Sequence, residues 1–346
     1  GSVGKTTTKE MIAAVLRTAL RTQWTEKNYN NEIGLPVSVL RLKPDCEAAV
    51  LEMGMNHFGE LSVLTRIAQP DLAVITNIGT MHIENLGSRE GILRAKLEIL
   101  EGLRPGGRII FNGDDALLRP LAARYHAVCF GLSEGCDVRA SRVCESAEGS
   151  KFTVHAFGKS FEAALNVPGL HNVLDALAAA AVGLLLGLSP EQIAEGLRSY
   201  APLRQRVSHA AGMTIIDDCY NAGPESMRAA LRVLAGTPTE GRRIAVLGGM
   251  LELGDFAPEL HAGVGREAAK AADLLLAYGP CSECYVQGAH EAGLAGARAF
   301  ATHDALVAAL EETCRAGDTL LFKGSHGMHM EQVLARLLKT KEHMGE

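Results

Sequence analysis

The sequence predicts an α/β protein of two domains. The first is a parallel-sheet domain that opens on a phosphate-binding loop and carries a small antiparallel β meander. The second is a Rossmann-like, doubly wound domain. Three observations carry this reading. Short apolar runs alternate with longer helical patterns on both sides of residue 200, the pattern of parallel strands joined by right-handed crossovers. Gly1-Ser2-Val3-Gly4-Lys5-Thr6 opens directly into a helical run and supplies the ending of the phosphate-loop pattern G-x-x-x-x-G-K-[ST]. The chain has 346 residues, enough for two domains of about 150 each.

In chain order, the first helix is expected over Thr6–Thr22, with Met11, Ala14, Val15 and Leu16 on one side. Strands follow at Ala48–Glu52, Leu72–Thr76 and Arg108–Asn112, with helices at Phe58–Ile67 and Ser88–Leu103. Residues 128–167 change character. Val138–Val143, Lys151–Ala156 and Ser160–Asn166 are consecutive β-like runs without helices between them, which reads as an antiparallel meander attached to the sheet. Asn172–Leu186 and Pro190–Ser199 then read as helices. A boundary falls at the proline-containing stretch Tyr200–Gln205, dividing the chain into domains 1–203 and 204–346. After it come strands at Met213–Asp217, Arg243–Gly248, Leu274–Tyr278, Ala297–Ala301 and Thr319–Lys323, and a last helix from Met328 to Lys341.

Composition excludes several classes. Hydrophobic residues are 47% and charged residues 21% of the chain, as in ordinary globular domains. A net charge of -6 without a long basic run argues against a nucleic-acid partner. The longest uncharged apolar run, Ala176–Leu188, is too short to span a bilayer and reads as a buried helix, so no membrane insertion is expected. No secretory signal pattern is visible. The eight cysteines are scattered, which suits reduced thiols in a cytoplasmic protein. Cys281-Ser-Glu-Cys284 is a lone pair, and zinc would need a second.

Glycines let the loop turn its N–H groups toward one anion. Lys5 can reach β- and γ-phosphates, and the Thr6 hydroxyl can ligate Mg²⁺. The positive end of the following helix faces the same anion. In open parallel sheets ligands lie beyond the carboxyl ends of the strands. That rule selects Glu52, at the end of Ala-Val-Leu, as a carboxylate for Mg²⁺. It also selects Thr76–Glu84, where His82 is a candidate second ligand. Lys96 lies mid-helix and by residue type alone reads as a surface lysine. Asn28-Tyr-Asn30-Asn31-Glu-Ile-Gly-Leu-Pro36 is rich in amides that could orient a carboxylate or phosphate, although a solvated loop would look similar.

Seven blocks together resemble the Mur ligase family. They are GSVGKTTTKE at Gly1–Glu10, NYNNEIGLP at Asn28–Pro36, LEMGMNHFGE at Leu51–Glu60, ITNIGTMHIENLGSREGILRAK at Ile75–Lys96, GLHNVLDALAAA at Gly169–Ala180, IDDCYNAGPESM at Ile216–Met227 and LFKGSHGMHME at Leu321–Glu331. The second and sixth are most similar to the branch that adds a dipeptide rather than a single amino acid. The resemblance implies an ATP-dependent amide ligase of peptidoglycan precursor synthesis. Such an enzyme phosphorylates the terminal carboxylate of a UDP-MurNAc-tripeptide and joins it to D-Ala-D-Ala through an acyl phosphate.

Position by position, the resemblance implies the following roles. Gly1, Ser2, Val3, Gly4, Lys5, Thr6 and Thr7 would cradle the phosphates. Thr6 and Glu52 would hold one Mg²⁺, His82 a second. Lys96 would become carbamylated and so turn from a cation into an oxygen ligand. His171, Asn172 and Asp175 would contact adenine, and Arg204 and Asp217 would close over the nucleotide. Asn30, Asn31, Asn221, Lys323 and Ser325 would lie on the acceptor side. Catalysis would rest on Lys5, Lys96 and His82. Asp175 stands where the family has Asn, Gly249 where Asp is common, and His326 where Arg is usual. The resemblance further implies a preceding UDP-sugar-binding domain and a first strand of the ATP-binding domain, both upstream of Gly1. A monomer in the bacterial cytoplasm is expected. Two other readings remain open from sequence: a different Mur-type or folylpolyglutamate-synthase-like ligase, and a non-catalytic phosphate-loop nucleotide-binding module.

Overall fold

The computed structural model describes residues 1–26, 29–146, 149–201 and 206–343. It divides into two compact units, Gly1–Ala201 and Pro202–Glu346.

In the first unit, α1 (Lys5–Leu16) begins at Gly4, whose φ is 78°. A Cβ there would sit 2.5 Å from Asp175 Oδ1, so both conformation and space require glycine. The helix ends earlier than the sequence suggests. Thr18 Oγ1 bonds back to Val15 O, and Thr22–Trp24 is a strand, β1, rather than the helix end. The stretch read as an amide-rich loop leads into α2 (Gly34–Leu40). Asn31 Oδ1 accepts from the N–H groups of Ile33 and Gly34, and Pro36 sits in the first turn, where no intrahelical donor is required. Then come β2 (Ala48–Val50), α3 (Glu60–Ala68), β3 (Leu72–Ile75), α4 (Ile83–Leu86), α5 (Arg89–Leu97), β4 (Arg108–Asn112) and α6 (Ala122–Tyr125). They are followed by β5 (Val128–Gly131), β6 (Val138–Ser146), β7 (Gly149–Ala156), β8 (Lys159–Leu165), α7 (Leu170–Leu185) and α8 (Pro190–Ser199).

Six strands form one sheet in the order β3-β4-β5-β6-β7-β8. Pairing is parallel from β3 to β6 and antiparallel from β6 to β8. The expected meander is therefore present, but it starts at β6, because β5 extends the parallel part. β1 and β2 form a separate parallel pair. A cavity of about 440 Å³ is lined by residues of both β2 and β3, with Ile12 and Leu16 of α1; Lys5, Glu52, Thr76 and Lys96 also line it. The Ala-rich α7 is buried as expected, with Ala176 through Ala181 fully covered. Small side chains let helices approach closely: at Gly196 of α8 a Cβ would meet Val15 Cα at 2.4 Å.

The second unit contains β9 (Arg206–Ala210), β10 (Met213–Asp218), α9 (Pro224–Gly236), β11 (Arg243–Gly248), α10 (Ala257–Ala271) and β12 (Leu274–Tyr278). It continues with α11 (Ser282–Glu291), β13 (Ala297–Phe300), α12 (His303–Thr313), β14 (Thr319–Lys323) and α13 (Met330–His343). The order is β13-β12-β11-β14-β10-β9, parallel except for β9 at the edge. The chain steps outward from β10 to β13 and returns through α12 to insert β14, the doubly wound arrangement. Met213, Val246, Leu276 and Phe322 of the sheet form one core cluster with Leu306 and Leu310 of α12 and Val333 and Leu337 of α13. β9 was not expected from sequence: Arg-Val-Ser-His-Ala is largely exposed, as suits a polar edge strand. Among the described residues no helix is long and apolar enough to cross a membrane.

Candidate functional site

The phosphate loop is stapled to the segment after β3. Ser2 N donates to Asn77 O at 3.0 Å, and Val3 N to Asn77 Oδ1 at 3.0 Å. Thr76 Oγ1 and Asn77 Nδ2 both donate to Val3 O, at 2.6 and 3.1 Å. Gly79 N donates to Ser2 Oγ. Ile78 N in turn donates to Asp115 Oδ2 at 2.7 Å. A loop fixed at so many backbone points is preorganised, so an anion need not pay for ordering it. The strand-end rule selected the stretch holding Thr76 and Asn77 but not their role as anchors, and Asp115 was not recognised in the sequence. Their contacts with the loop or its anchor span 37 residues or more, so no local pattern shows that they hold the loop.

Lys5 Nζ donates to Ser2 O at 3.1 Å, and Thr6 is buried on the first turn of α1. Thr7 is half-buried on the same turn. The helix points its N-terminal N–H groups at the loop.

Glu52 follows β2 and is 5% exposed. Asn30 Nδ2 donates to its Oε1 at 2.7 Å, and its own N–H donates to Thr25 Oγ1. Its Oε2 is buried with no hydrogen-bond partner among the described residues. A buried carboxylate oxygen in this state calls for an explanation; a cation is one. His82 is the residue before α4 and holds φ at 64°, a conformation uncommon outside glycine and often found at functional positions.

Lys96 is not the surface lysine its residue type suggests. It is 4% exposed on α5. Burial, and secondly the Lys5 ammonium, push its pKa well below the ordinary lysine value. Among the described residues no group of three or more His, Cys, Asp or Glu could hold a metal. A Mg²⁺ site of the nucleotide kind does not need one, since waters and phosphates complete its shell around one or two protein carboxylates. Glu52 Oε2 and the Thr6 hydroxyl have the hard-oxygen chemistry such an ion takes, so the residues fit it.

Asp175 supports the loop from behind. Its Oδ1 accepts from Thr8 Oγ1 at 2.8 Å and packs under Gly4. Asn172 is buried and donates to Pro168 O at 2.6 Å, with half-buried His171 beside it at the start of α7. Asn31 is occupied in capping α2.

In the second unit, Lys323 is buried at the end of β14 and bonds Asp218 Oδ2 at 2.6 Å and Asn221 O at 2.9 Å. Asp217 Oδ1 accepts from Cys219 N. Ser325 Oγ accepts from Leu251 N, and Ser325 N donates to Gly249 O. Asn221 is exposed, with its Oδ1 on Ala222 N. Lys323, Asn221 and Ser325 therefore lie together beyond the carboxyl end of the sheet. Arg204 lies outside the described residues.

Comparison with known proteins covers nearly the whole chain. The Mur ligase middle domain matches residues 1–183, and the Mur ligase, glutamate ligase domain matches residues 204–326. The UDP-N-acetylmuramoyl-tripeptide--D-alanyl-D-alanine ligase of Bacillus subtilis is 40% identical, over 98% of this chain and 75% of its own length. The Escherichia coli protein of the same name is 35% identical over 97% and 75%. Among solved structures, MurF from Acinetobacter baumannii superposes with a TM-score of 0.90 at 35% identity, covering 98% of this chain and 75% of that one. MurF from Thermotoga maritima in complex with ADP gives 0.88 at 29% identity, covering 99% and 79%.

Proposed function

From the premise that the chain belongs to the Mur ligase family, we propose that it joins D-alanyl-D-alanine to a UDP-N-acetylmuramoyl-tripeptide. It is an ATP-dependent carbon–nitrogen ligase of peptidoglycan precursor synthesis. The observation that carries the reading is the composition of one cavity wall. Lys5 of the phosphate loop, Glu52 with an oxygen that accepts no hydrogen bond, and the buried Lys96 all line it. Simple nucleotide binding has no use for a buried lysine beside the phosphate loop; an acyl-phosphate reaction, which gathers several anions, does.

A carboxylate is a poor electrophile, and transfer of the γ-phosphoryl group onto it supplies a leaving group. The dipeptide amine then attacks the acyl carbon, the tetrahedral intermediate expels inorganic phosphate, and the amine loses a proton. The protein's task is to hold anions together, neutralise them and exclude water. In our reading Lys5 and the N-terminal N–H groups of α1 neutralise the β- and γ-phosphates. Thr6 and Glu52 hold Mg²⁺, and His82 holds a second ion. Bound there, Mg²⁺ would withdraw charge from the transferring phosphoryl group. Lys96 carries a carbamate: its burial beside Lys5 favours the neutral amine that reacts with CO₂. His171, Asn172, Asp175, Arg204 and Asp217 serve the nucleotide. Asn30, Asn31, Asn221, Lys323 and Ser325 serve the acceptor side. The same proposal has the enzyme acting as a monomer in the bacterial cytoplasm.

The test is phosphate release from ATP in the presence of the UDP-linked tripeptide across a panel of acceptors. Release is expected with D-Ala-D-Ala and not with single amino acids or glutamate. Release with a single amino acid, and none with the dipeptide, would move the chain to another branch of the family.

A further inference from the structure

We infer that Lys9 is a positioning residue that fixes Glu52 relative to Thr6; the inference rests on the reading of Glu52 as a Mg²⁺ ligand. Lys9 lies one turn beyond Thr6 on α1 and is only 2% exposed. A buried ammonium is unfavourable unless it is paired and hydrogen-bonded, so its partners indicate its role. Nζ donates to Thr25 O at 2.7 Å, pairs with Glu10 Oε1 at 2.8 Å and lies 4.0 Å from Glu52 Oε2.

Thr25 is itself fully buried and is the link to Glu52. Its N–H donates to Val50 O, continuing the β1–β2 pairing, and its Oγ1 accepts the Glu52 N–H at 3.0 Å. A short chain of bonds therefore runs from α1 through Lys9 and Thr25 to the Glu52 backbone. Asn30 fixes Oε1 of the carboxylate from the other side. The two proposed ligands come from different elements, and Lys9 joins those elements.

Charge points the same way. Lys9 offsets Glu10, so the trio with Glu52 carries one net negative charge rather than two. Its ammonium attracts Oε2 at 4.0 Å without bonding it, so the oxygen is stabilised in burial yet keeps its lone pairs available. Outer partners that orient a metal ligand typically change metal affinity by about 10–100-fold when removed.

The test uses Mn²⁺ as the probe, titrated by electron paramagnetic resonance on protein saturated with ADP, with ADP affinity measured separately without metal. Lys9→Met should weaken Mn²⁺ binding by at least about tenfold, leave metal-free ADP affinity unchanged, and recover part of the loss as Lys9→Arg. Thr25→Val breaks the same chain at its next link and should reproduce the loss, which keeps the inference testable if Lys9→Met does not fold. In a Glu52→Gln background, Lys9→Met should add nothing. Two outcomes overturn the Lys9 assignment alone: wild-type Mn²⁺ affinity in folded Lys9→Met while Glu52→Gln loses it, or an equal loss of metal-free ADP binding. Undiminished Mn²⁺ affinity in Glu52→Gln would instead remove Glu52 as the ligand, and both readings with it.

Discussion

The two units differ in how completely buried charge is matched: both hold paired lysines, Lys9 in the first and Lys323 in the second, but only the first also holds buried groups left incompletely matched. In the second unit, charges meet partners within the unit. Asp318, 2% exposed, accepts two bonds from the Arg242 guanidinium and backbone bonds from Arg242 and Arg315. These bonds, chiefly that from the Arg242 side chain, outweigh burial and hold its carboxyl below the usual range. Lys323 is matched by Asp218. In the first unit, Glu52 Oε2 accepts no hydrogen bond, and burial, with the Lys5 ammonium second, pushes the buried Lys96 well below the ordinary lysine pKa. Satisfied buried charge is a scaffold; unsatisfied buried charge in a cavity waits for charge brought by a ligand. The contrast supports the proposal that anions and a cation are assembled in the first unit.

The strongest way to break that comparison is to remove the cation of the phosphate loop. Lys5→Ala should lower acceptor-dependent phosphate release on the order of 10³-fold, about 4 kcal/mol of barrier. Lys5 Nζ bonds the loop's own Ser2 carbonyl; the fold should survive its removal, as circular dichroism would show. Near-normal turnover would mean that the loop is not the phosphate site.

Lys96 is the next test. Lys96→Ala should cost on the order of 10²-fold in turnover, the range typical of losing one group that stabilises developing charge. Added formate or acetate should restore part of it by replacing the carbamate oxygens. An intact fold with no recovery would leave Lys96 as a cation and remove the carbamate.

Much of this contrast was legible in the sequence, but unevenly. The loop and Glu52 could be found because a motif and the strand-end rule are both local. Strands Arg108–Asn112, Arg243–Gly248, Leu274–Tyr278 and Thr319–Lys323 were placed to the residue, because buried parallel strands are continuous apolar runs. β1 was missed because three residues between a helix and a loop carry no period, and β9 because an exposed polar edge carries no apolar one. Lys96 was misread from its type: a lysine's burial depends on neighbours distant in sequence. Asp115 gave no local signal for the same reason, and Asn77, although in the selected Thr76–Glu84 stretch, gave none of its bonds to the loop. Asp175 was assigned to adenine by the resemblance; that its carboxylate also braces Thr8 and packs under Gly4 could not be read from sequence, because those residues lie far from it along the chain.

The smallest expected effect sharpens the comparison from the second unit. His261 is fully buried; its Nδ1–H donates to Ala257 O at 2.6 Å and its Nε2 accepts from Met250 N at 2.9 Å. A neutral ring satisfies both bonds, and a protonated ring has no lone pair for Met250. Burial accordingly lowers its pKa from the ordinary 6.5, against the smaller opposing effect of the Ala257 bond. The unfolded chain therefore binds more protons than the folded one once pH drops below about 6.5. The stability this neutral histidine contributes is complete above that pH and is lost as pH falls toward the folded pKa, by at most about 1.4 kcal/mol per pH unit. His261→Gln should remove that slope and lower stability at pH 8 by about 1–3 kcal/mol, through groups left unpaired. Hydrogen exchange in β11, read against pH, measures the second unit. Fluorescence of Trp24, the one tryptophan in the chain, measures the first and should not respond to the substitution. Equal pH slopes in β11 for both proteins would show that His261 is not held neutral, and that the second unit too keeps a buried group waiting for charge.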